Sequence, residues 1–280
     1  MTIPYITNKQ REIPKLLYRF RFLHSNHIRV LMHHKDKRRI NEWLKDLVKK
    51  SYIVTIVNDI SLDKSRDSNF GYINTQTKPV VYRLGINGVR FLKTQEGIDF
   101  GVDVAFLHKF YRENIRSDEF IAQSLFLADI HGQLMVNMTK EDKLVFYTKS
   151  DYSPAESSYS CLTEVSPDAF IQKRIGKGKT KQYLLHIVPE SMLRTRSYLL
   201  HKTIKAYFEF YFQSKWENNT NTSLPILLFI LPDMQALINL QRYIQTKLNE
   251  NDNPDIHFWL ATRKQIQREG FSNVNWEVVK

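Results

Sequence analysis

The sequence predicts an α/β (α+β overall) protein in two parts: a winged helix-turn-helix, then a sheet covered by helices. Three observations carry this. Residues 1–94 hold 19 Lys and Arg against 7 Asp and Glu, whereas residues 95–280 hold 22 of each, so the net charge of +12 lies entirely in the first third. That same third reads as three short amphipathic helices followed by two β-rich segments. The remainder alternates strands with helices, the pattern of a sheet with helical cover. We therefore divide the chain at 1–94 and 95–280. A basic module on a neutral one suggests that the first touches a polyanion and the second does something else.

The first helix is expected over residues 9–24, where Ile13, Leu16, Leu17, Phe20 and Leu23 recur at helical spacing. Ser25 stands where an N-cap would, before a second helix carrying Ile28, Leu31 and Met32. Asp36 caps a third, Lys37 to Lys50, with Ile40, Trp43, Leu44, Leu47 and Val48 inward. Tyr52–Val57 and Val80–Leu84 are β-rich, and the polar stretch between them includes Asp63-Lys-Ser-Arg-Asp-Ser-Asn69. Two strands joined by a polar loop after a third helix make a wing. Gly85 ends the second strand, and Ile86 to Leu92 closes the unit as a helical turn.

On this reading the third helix enters a major groove of double-stranded DNA. Arg38 and Asn41 are the candidates for base edges, because Arg pairs guanine and Asn pairs adenine bidentately. Lys37 shares the basic face. Arg39, Lys45, Lys49, Lys50 and Arg83 are placed for phosphates, and Lys64 and Arg66 for the minor groove, reached from the wing.

In the neutral part a helix is expected over 104–128, with Phe106, Phe110, Ile115, Ile121, Leu125 and Leu127 apolar. Strands follow at Gln133–Asn137 and Leu144–Tyr147, then a Ser-rich loop from Ser150 to Ser160. Val165–Ile171, a basic turn from Lys173 to Lys181 and Tyr183–Val188 read as a hairpin. A long amphipathic helix is expected over 191–215, a buried strand at Leu224–Leu231, a helix over 233–249 and a last strand at Ile256–Leu260.

Pro167-Asp168, a hairpin and a strand follow the order of PD-(D/E)xK nucleases, in which a carboxylate and an acid-x-Lys hold a divalent metal that activates water. Asp168 fits the first position, but the strand carries His186, Ile187 and Val188 at the second. A relocated catalytic set would be Asp168, Glu190 and Lys202, the last on the following helix. The plainer meaning is a turn at Asp168, a helix N-terminus at Glu190 and a solvated Lys202. No metal site is expected, and Mg²⁺ enters only if the nuclease alternative holds.

Other chemistries find little support. One cysteine, Cys161, excludes an intrachain disulfide and a Cys-rich zinc site. Lys173–Lys181 contains Gly-Lys-Gly-Lys-Thr but lacks the P-loop spacing, and Gly85-Ile-Asn-Gly88 is too sparse for a dinucleotide loop. His131 and His186 are candidate site members whose plainer role is structural. The start, Met1-Thr-Ile-Pro-Tyr5, has no apolar signal region, and Leu224–Leu231 is too short to span a bilayer. A cytoplasmic protein with no membrane partner is expected.

The arrangement resembles the replication-relaxation family of plasmids and integrative elements. The resemblance is carried by Leu16–Ile28, by Arg38-Arg-Ile-Asn-Glu-Trp-Leu-Lys-Asp-Leu47 and by Tyr82–Leu92 with its Leu-x-x-x-Gly-x-x-x-Leu closure. Downstream it is carried by Pro167-Asp168-Ala-Phe and by Lys202-Thr-Ile-Lys-Ala-Tyr207. It implies a winged helix followed by a PD-(D/E)xK-nuclease-like domain and a role in replication, relaxation or conjugative transfer of mobile DNA. His186-Ile-Val188 stands where the family often has an acidic pair, so cleavage is not implied. The expected function is origin-like site binding and recruitment, with a homodimer and replication or transfer proteins as partners. The alternatives are a metal-dependent DNA endonuclease or nickase and a winged-helix transcriptional regulator.

Overall fold

The computed structural model describes residues 3–56, 80–94, 117–136, 138–153, 157–195 and 197–280. It is a mixed α/β structure with a three-stranded and a six-stranded sheet. The chain divides into two units, Met1–Gly132 and Gln133–Lys280.

The first unit begins with α1 (Asn8–Phe20), started by a reciprocal capping box between Thr7 and Gln10. It buries Ile13, Leu17, Tyr18 and Phe20. A short strand β1 (Leu23–His24) leads into α2 (Ser25–Leu31), then α3 (Lys37–Lys49). The residue at the α2 N-cap is His24, and Ser25 is already helical. Between α2 and α3, His33 takes a positive φ of 50°. The Asp36 carboxylate accepts the Arg38 and Arg39 amides at 2.8 and 3.3 Å, satisfying two of the orphan donors at the start of α3. Ile40, Leu44 and Leu47 bury one face of α3, while Trp43 and Val48 are half-buried at its edges.

The strands β2 (Ile53–Ile56) and β3 (Val81–Leu84) pair antiparallel, with Val54 opposite Arg83, and β1 joins the other side of β3. Helix α4 (Ile86–Leu92) follows. A Cβ on Gly88 would stand 2.3 Å from the Tyr52 carbonyl oxygen, so α4 sits against the start of β2 at a distance only glycine allows. Helix α5 (Asp118–Val136) contains the unit boundary. Within the first unit, His27 Nε2 lies 2.8 Å from Asp129 Oδ1, fastening α2 to α5.

The second unit is built on the sheet order β4-β5-β6-β7-β8-β9. Its strands are β4 (Lys143–Thr148), β5 (Ala169–Arg174), β6 (Lys181–Ile187), β7 (Ile226–Leu231), β8 (Phe258–Thr262) and β9 (Glu277–Val279). β6, β7 and β8 run parallel and the flanking pairs antiparallel. The helices are α6 (Lys149–Tyr152), α7 (Glu190–Thr195), α8 (Ser197–Phe212), α9 (Lys215–Thr220), α10 (Met234–Glu250) and α11 (Arg263–Glu269). One sheet face, with Phe170, Leu184, Leu227, Phe229 and Phe258, shares a core with Ile204 and Tyr207 of α8 and Leu237, Leu240 and Ile244 of α10. β7 reads Ile-Leu-Leu-Phe-Ile-Leu because a central parallel strand is apolar on both sides.

Beyond the N-cap of α2, five sequence expectations are corrected. The first helix, expected over 9–24, ends at Phe20, and Leu23–His24 form β1. Residues 133–136, read as a strand, end α5, because Leu127, Ile130 and Leu134 continue the helical burial of Leu125 through Gly132. Four residues of alternation are too few to separate the two periods. The expected Ser-rich loop begins as α6, which a Thr148–Asp151 capping box starts, and includes the opening of a 3₁₀ turn at Ser160–Thr163. The expected helix over 191–215 ends at Phe212, and Ser214 turns the chain at a φ of 48° into α9. The last strand is β9, pairing antiparallel with β8. Of the helix expected over 104–128, residues 118–128 belong to α5 and residues 104–116 lie outside the described residues.

Candidate nucleic-acid interface

Helix geometry sorts the α3 side chains into two faces. Arg38, Asn41, Lys45 and Lys49 fall within a narrow stripe opposite Ile40, Leu44 and Leu47. Because the apolar face is anchored, the polar stripe faces outward. The Arg38 side chain is 90% exposed, with Nε 3.5 Å from Glu42 Oε1, a surface pair worth little in water. Lys37, Arg39, Lys45 and Lys49 are exposed and Asn41 is half-buried. The stripe thus presents cations and one amide, with Glu42 at its margin.

The remaining candidates fall elsewhere. Lys50 Nζ stands 2.8 Å from Asp46 Oδ2, which also accepts from Gln10 Nε2 at 2.8 Å. Lys50 and Gln10 together hold the Asp46 carboxyl below its usual range. Lys50 therefore belongs to the α1–α3 packing as much as to the basic surface. Arg83 is half-buried on β3, and burial lowers its pKa. Lys64 and Arg66 lie outside the described residues.

In the second unit the structure places Asp168 just before β5. Its Oδ2 accepts the Ile187 amide at 2.7 Å at the end of β6, and Lys149 Nζ stands 3.0 Å from Oδ1. The Asp168 amide in turn donates to the Leu185 carbonyl at 2.7 Å. The residue is only 16% exposed at its side chain. Glu190 is exposed at the start of α7, and Lys202 is exposed on α8. The lysine beside Asp168 is therefore Lys149. Sequence reasoning missed it because it looked along the next strand and helix, whereas Lys149 arrives from β4, directly after Thr148 opposite Ala169.

Beside this ion pair, His186 Nε2 lies 2.6 Å from the Tyr207 hydroxyl, and the imidazole stacks on Phe229 at 4.8 Å. Burial lowers the His186 pKa to about 4 despite the opposing pull of Asp168. Burial likewise raises Tyr207 well above its ordinary value. The bond therefore joins two neutral groups. Tyr152 donates to the Pro167 carbonyl. The whole set reads as a polar clamp on the Pro-Asp turn. Among the described residues no three His, Cys, Asp or Glu side chains are grouped to hold a metal ion, and no helix is long and apolar enough to cross a membrane. The chain matches no protein-family model, no curated protein and no solved structure.

Proposed function

We propose that the chain is a sequence-preferring double-stranded DNA-binding protein of a plasmid or integrative element, related to the replication-relaxation proteins. Its first unit works as a winged helix, with α3 as the recognition helix. Its second unit, a six-stranded mixed sheet with helices, serves as a platform for dimerisation and for replication or transfer proteins. The observation that carries this reading is the α3 stripe. A helix anchored by three fully buried side chains offers Arg38, Asn41, Lys45 and Lys49 together on its outer face, the chemistry that reads base edges between phosphate contacts. The segregation of all the net charge into residues 1–94 supports the same assignment.

The test is a titration of the whole protein against duplexes from its own flanking DNA and against scrambled duplexes. Preference for a flanking duplex, lost in an Arg38→Ala, Asn41→Ala double variant that stays folded, supports the reading. Equal affinity for every duplex contradicts it. Supercoiled plasmid with Mg²⁺ or EDTA separates the nuclease alternative, which requires metal-dependent nicking lost in Asp168→Ala. A site confined to the protein's own promoter favours the transcriptional alternative.

A further inference from the structure

The sheet of the second unit has a second face, opposite the helix-covered core. Alternation along the strands places Lys173 of β5, Lys181 and Tyr183 of β6, Leu228 of β7 and Trp259 of β8 on it. Between the β5–β6 hairpin and residues 271–276 this face opens into a cavity of about 530 Å³. Tyr183, Trp259 and Trp276 supply aromatic surface to the wall, and all three rings are half-buried. The Tyr183 and Trp259 rings stand 6.1 Å apart, tilted by 55°. Lys173, Lys179 and Lys181 line the same cavity, and its described lining contains no carboxylate. Acids stand beside it rather than in it: on the hairpin side Asp142 Oδ1 accepts the Gly176 amide at 2.8 Å and Glu141 would lie 4.0 Å from a Cβ on Gly176, and on the other side Glu269 Oε2 accepts the Asn275 amide at 3.5 Å. Glu277 follows Trp276 at the start of β9.

We infer that this cavity binds single-stranded DNA, with unpaired bases against Trp259, Trp276 and Tyr183 and the backbone along Lys173, Lys179 and Lys181. Aromatic faces accept any base by stacking, while neighbouring lysines follow the phosphates; that pairing of features defines sequence-tolerant single-strand sites. Its volume lies in the range of about 300–1,000 Å³ that takes small ligands, so it admits a base or two and not a duplex. The site lies on the opposite sheet face from His186 and Tyr207 and is independent of the α3 stripe. A protein with both sites would hold a duplex and a melted strand.

The experiment titrates the full-length protein with a short oligothymidylate, reading intrinsic tryptophan fluorescence and the anisotropy of a labelled strand. Binding with quenching is expected. Trp276→Ala should weaken it about tenfold. A combined Lys173→Ala, Lys179→Ala, Lys181→Ala variant should lower the salt slope by about 2. Both should leave duplex binding unchanged, and Arg38→Ala should leave the single-strand affinity unchanged. Failure to bind the oligothymidylate overturns the proposal. So does an abasic strand bound equally well, a loss that follows Arg38 and not Trp276, or an RNA strand bound tenfold more tightly. Circular dichroism of the two groove variants separates lost contact from lost fold. Should duplex binding fail while the oligothymidylate still quenches the protein, the reading of α3 falls and this one stands.

Discussion

Lys149 Nζ stands 3.0 Å from Asp168 Oδ1, while the other carboxylate oxygen accepts the Ile187 amide at 2.7 Å. One side chain thus ties together the turn before β5, the end of β6 and the first residue of α6. The energetic weight lies on the amide, because the lysine is 45% exposed and its pair is screened. Asp168→Ala leaves the Ile187 N–H without this acceptor and should cost about 1–3 kcal/mol of stability. Asp168→Asn, which keeps an acceptor oxygen, should recover part of it. Urea midpoints of the three proteins measure this. A midpoint unchanged in Asp168→Ala would remove the residue from its structural role.

Arg38 and Lys49 share one stripe but should differ in kind. Arg38→Ala is expected to cost about 1–3 kcal/mol on the preferred duplex and to relax base preference there. Lys49→Ala should weaken all duplexes evenly and reduce the salt slope by about 1. Affinities across a salt series on matched and scrambled duplexes measure both. An equal loss for Arg38→Ala on every sequence would place it with the phosphate contacts. An unchanged slope for Lys49→Ala would remove it from them.

Gly88 should tolerate no side chain. The Cβ of Gly88→Ala would meet the Tyr52 carbonyl oxygen at 2.3 Å and Leu84 Cδ2 at 2.9 Å. The first is backbone, so α4 or β2 must shift, a strain of about 1–3 kcal/mol. A lowered thermal midpoint is expected. A midpoint equal to that of the parent would contradict the close approach of α4 to Tyr52.

His186 should make stability fall on acidification. Its folded pKa is about 4 against an ordinary 6.5, because burial disfavours the charged ring. Between those values the unfolded chain binds the additional proton, so stability is full above about pH 6.5 and declines as pH falls toward 4. His131, lowered to about 3 by burial with help from Arg19 and His33, acts in the same sense. The loss ascribed to His186 is on the order of 2 kcal/mol by about pH 4.5. His186→Gln should therefore show a shallower dependence of urea midpoint on pH than the parent. Parallel pH profiles would contradict the buried, neutral ring.

Local chemistry made much of the fold legible in the sequence. The Asp36 cap, the Ile40–Leu44–Leu47 face and a hairpin of Val165–Ile171 with Tyr183–Val188 follow from residue type and spacing; the cap and the face are present, and the hairpin is present with strands Ala169–Arg174 and Lys181–Ile187. What escaped depends on context. The strand expected from Gln133 is helix instead: α5 runs through Gly132, where a Cβ would meet only Val30 Cγ1 at 3.5 Å. The Thr148–Asp151 capping box was hidden in a run that looked like loop. The candidate site divides in the same way. The α3 stripe follows from helical periodicity alone. Lys149 reaches Asp168 through the β4–β5 pairing, and the Tyr183–Trp259 contact through β6, β7 and β8 standing side by side. No spacing along the chain reports either one.

Duplex binding by the whole protein and by an Arg38→Ala, Lys45→Ala, Lys49→Ala variant, compared at matched salt on DNA flanking its own coding region, decides whether α3 reads DNA. A saturable complex on one flanking duplex, a steep salt dependence for the parent and loss of both preference and slope in the variant are expected. A variant that folds normally and binds the same duplex as tightly as the parent would contradict that role of α3.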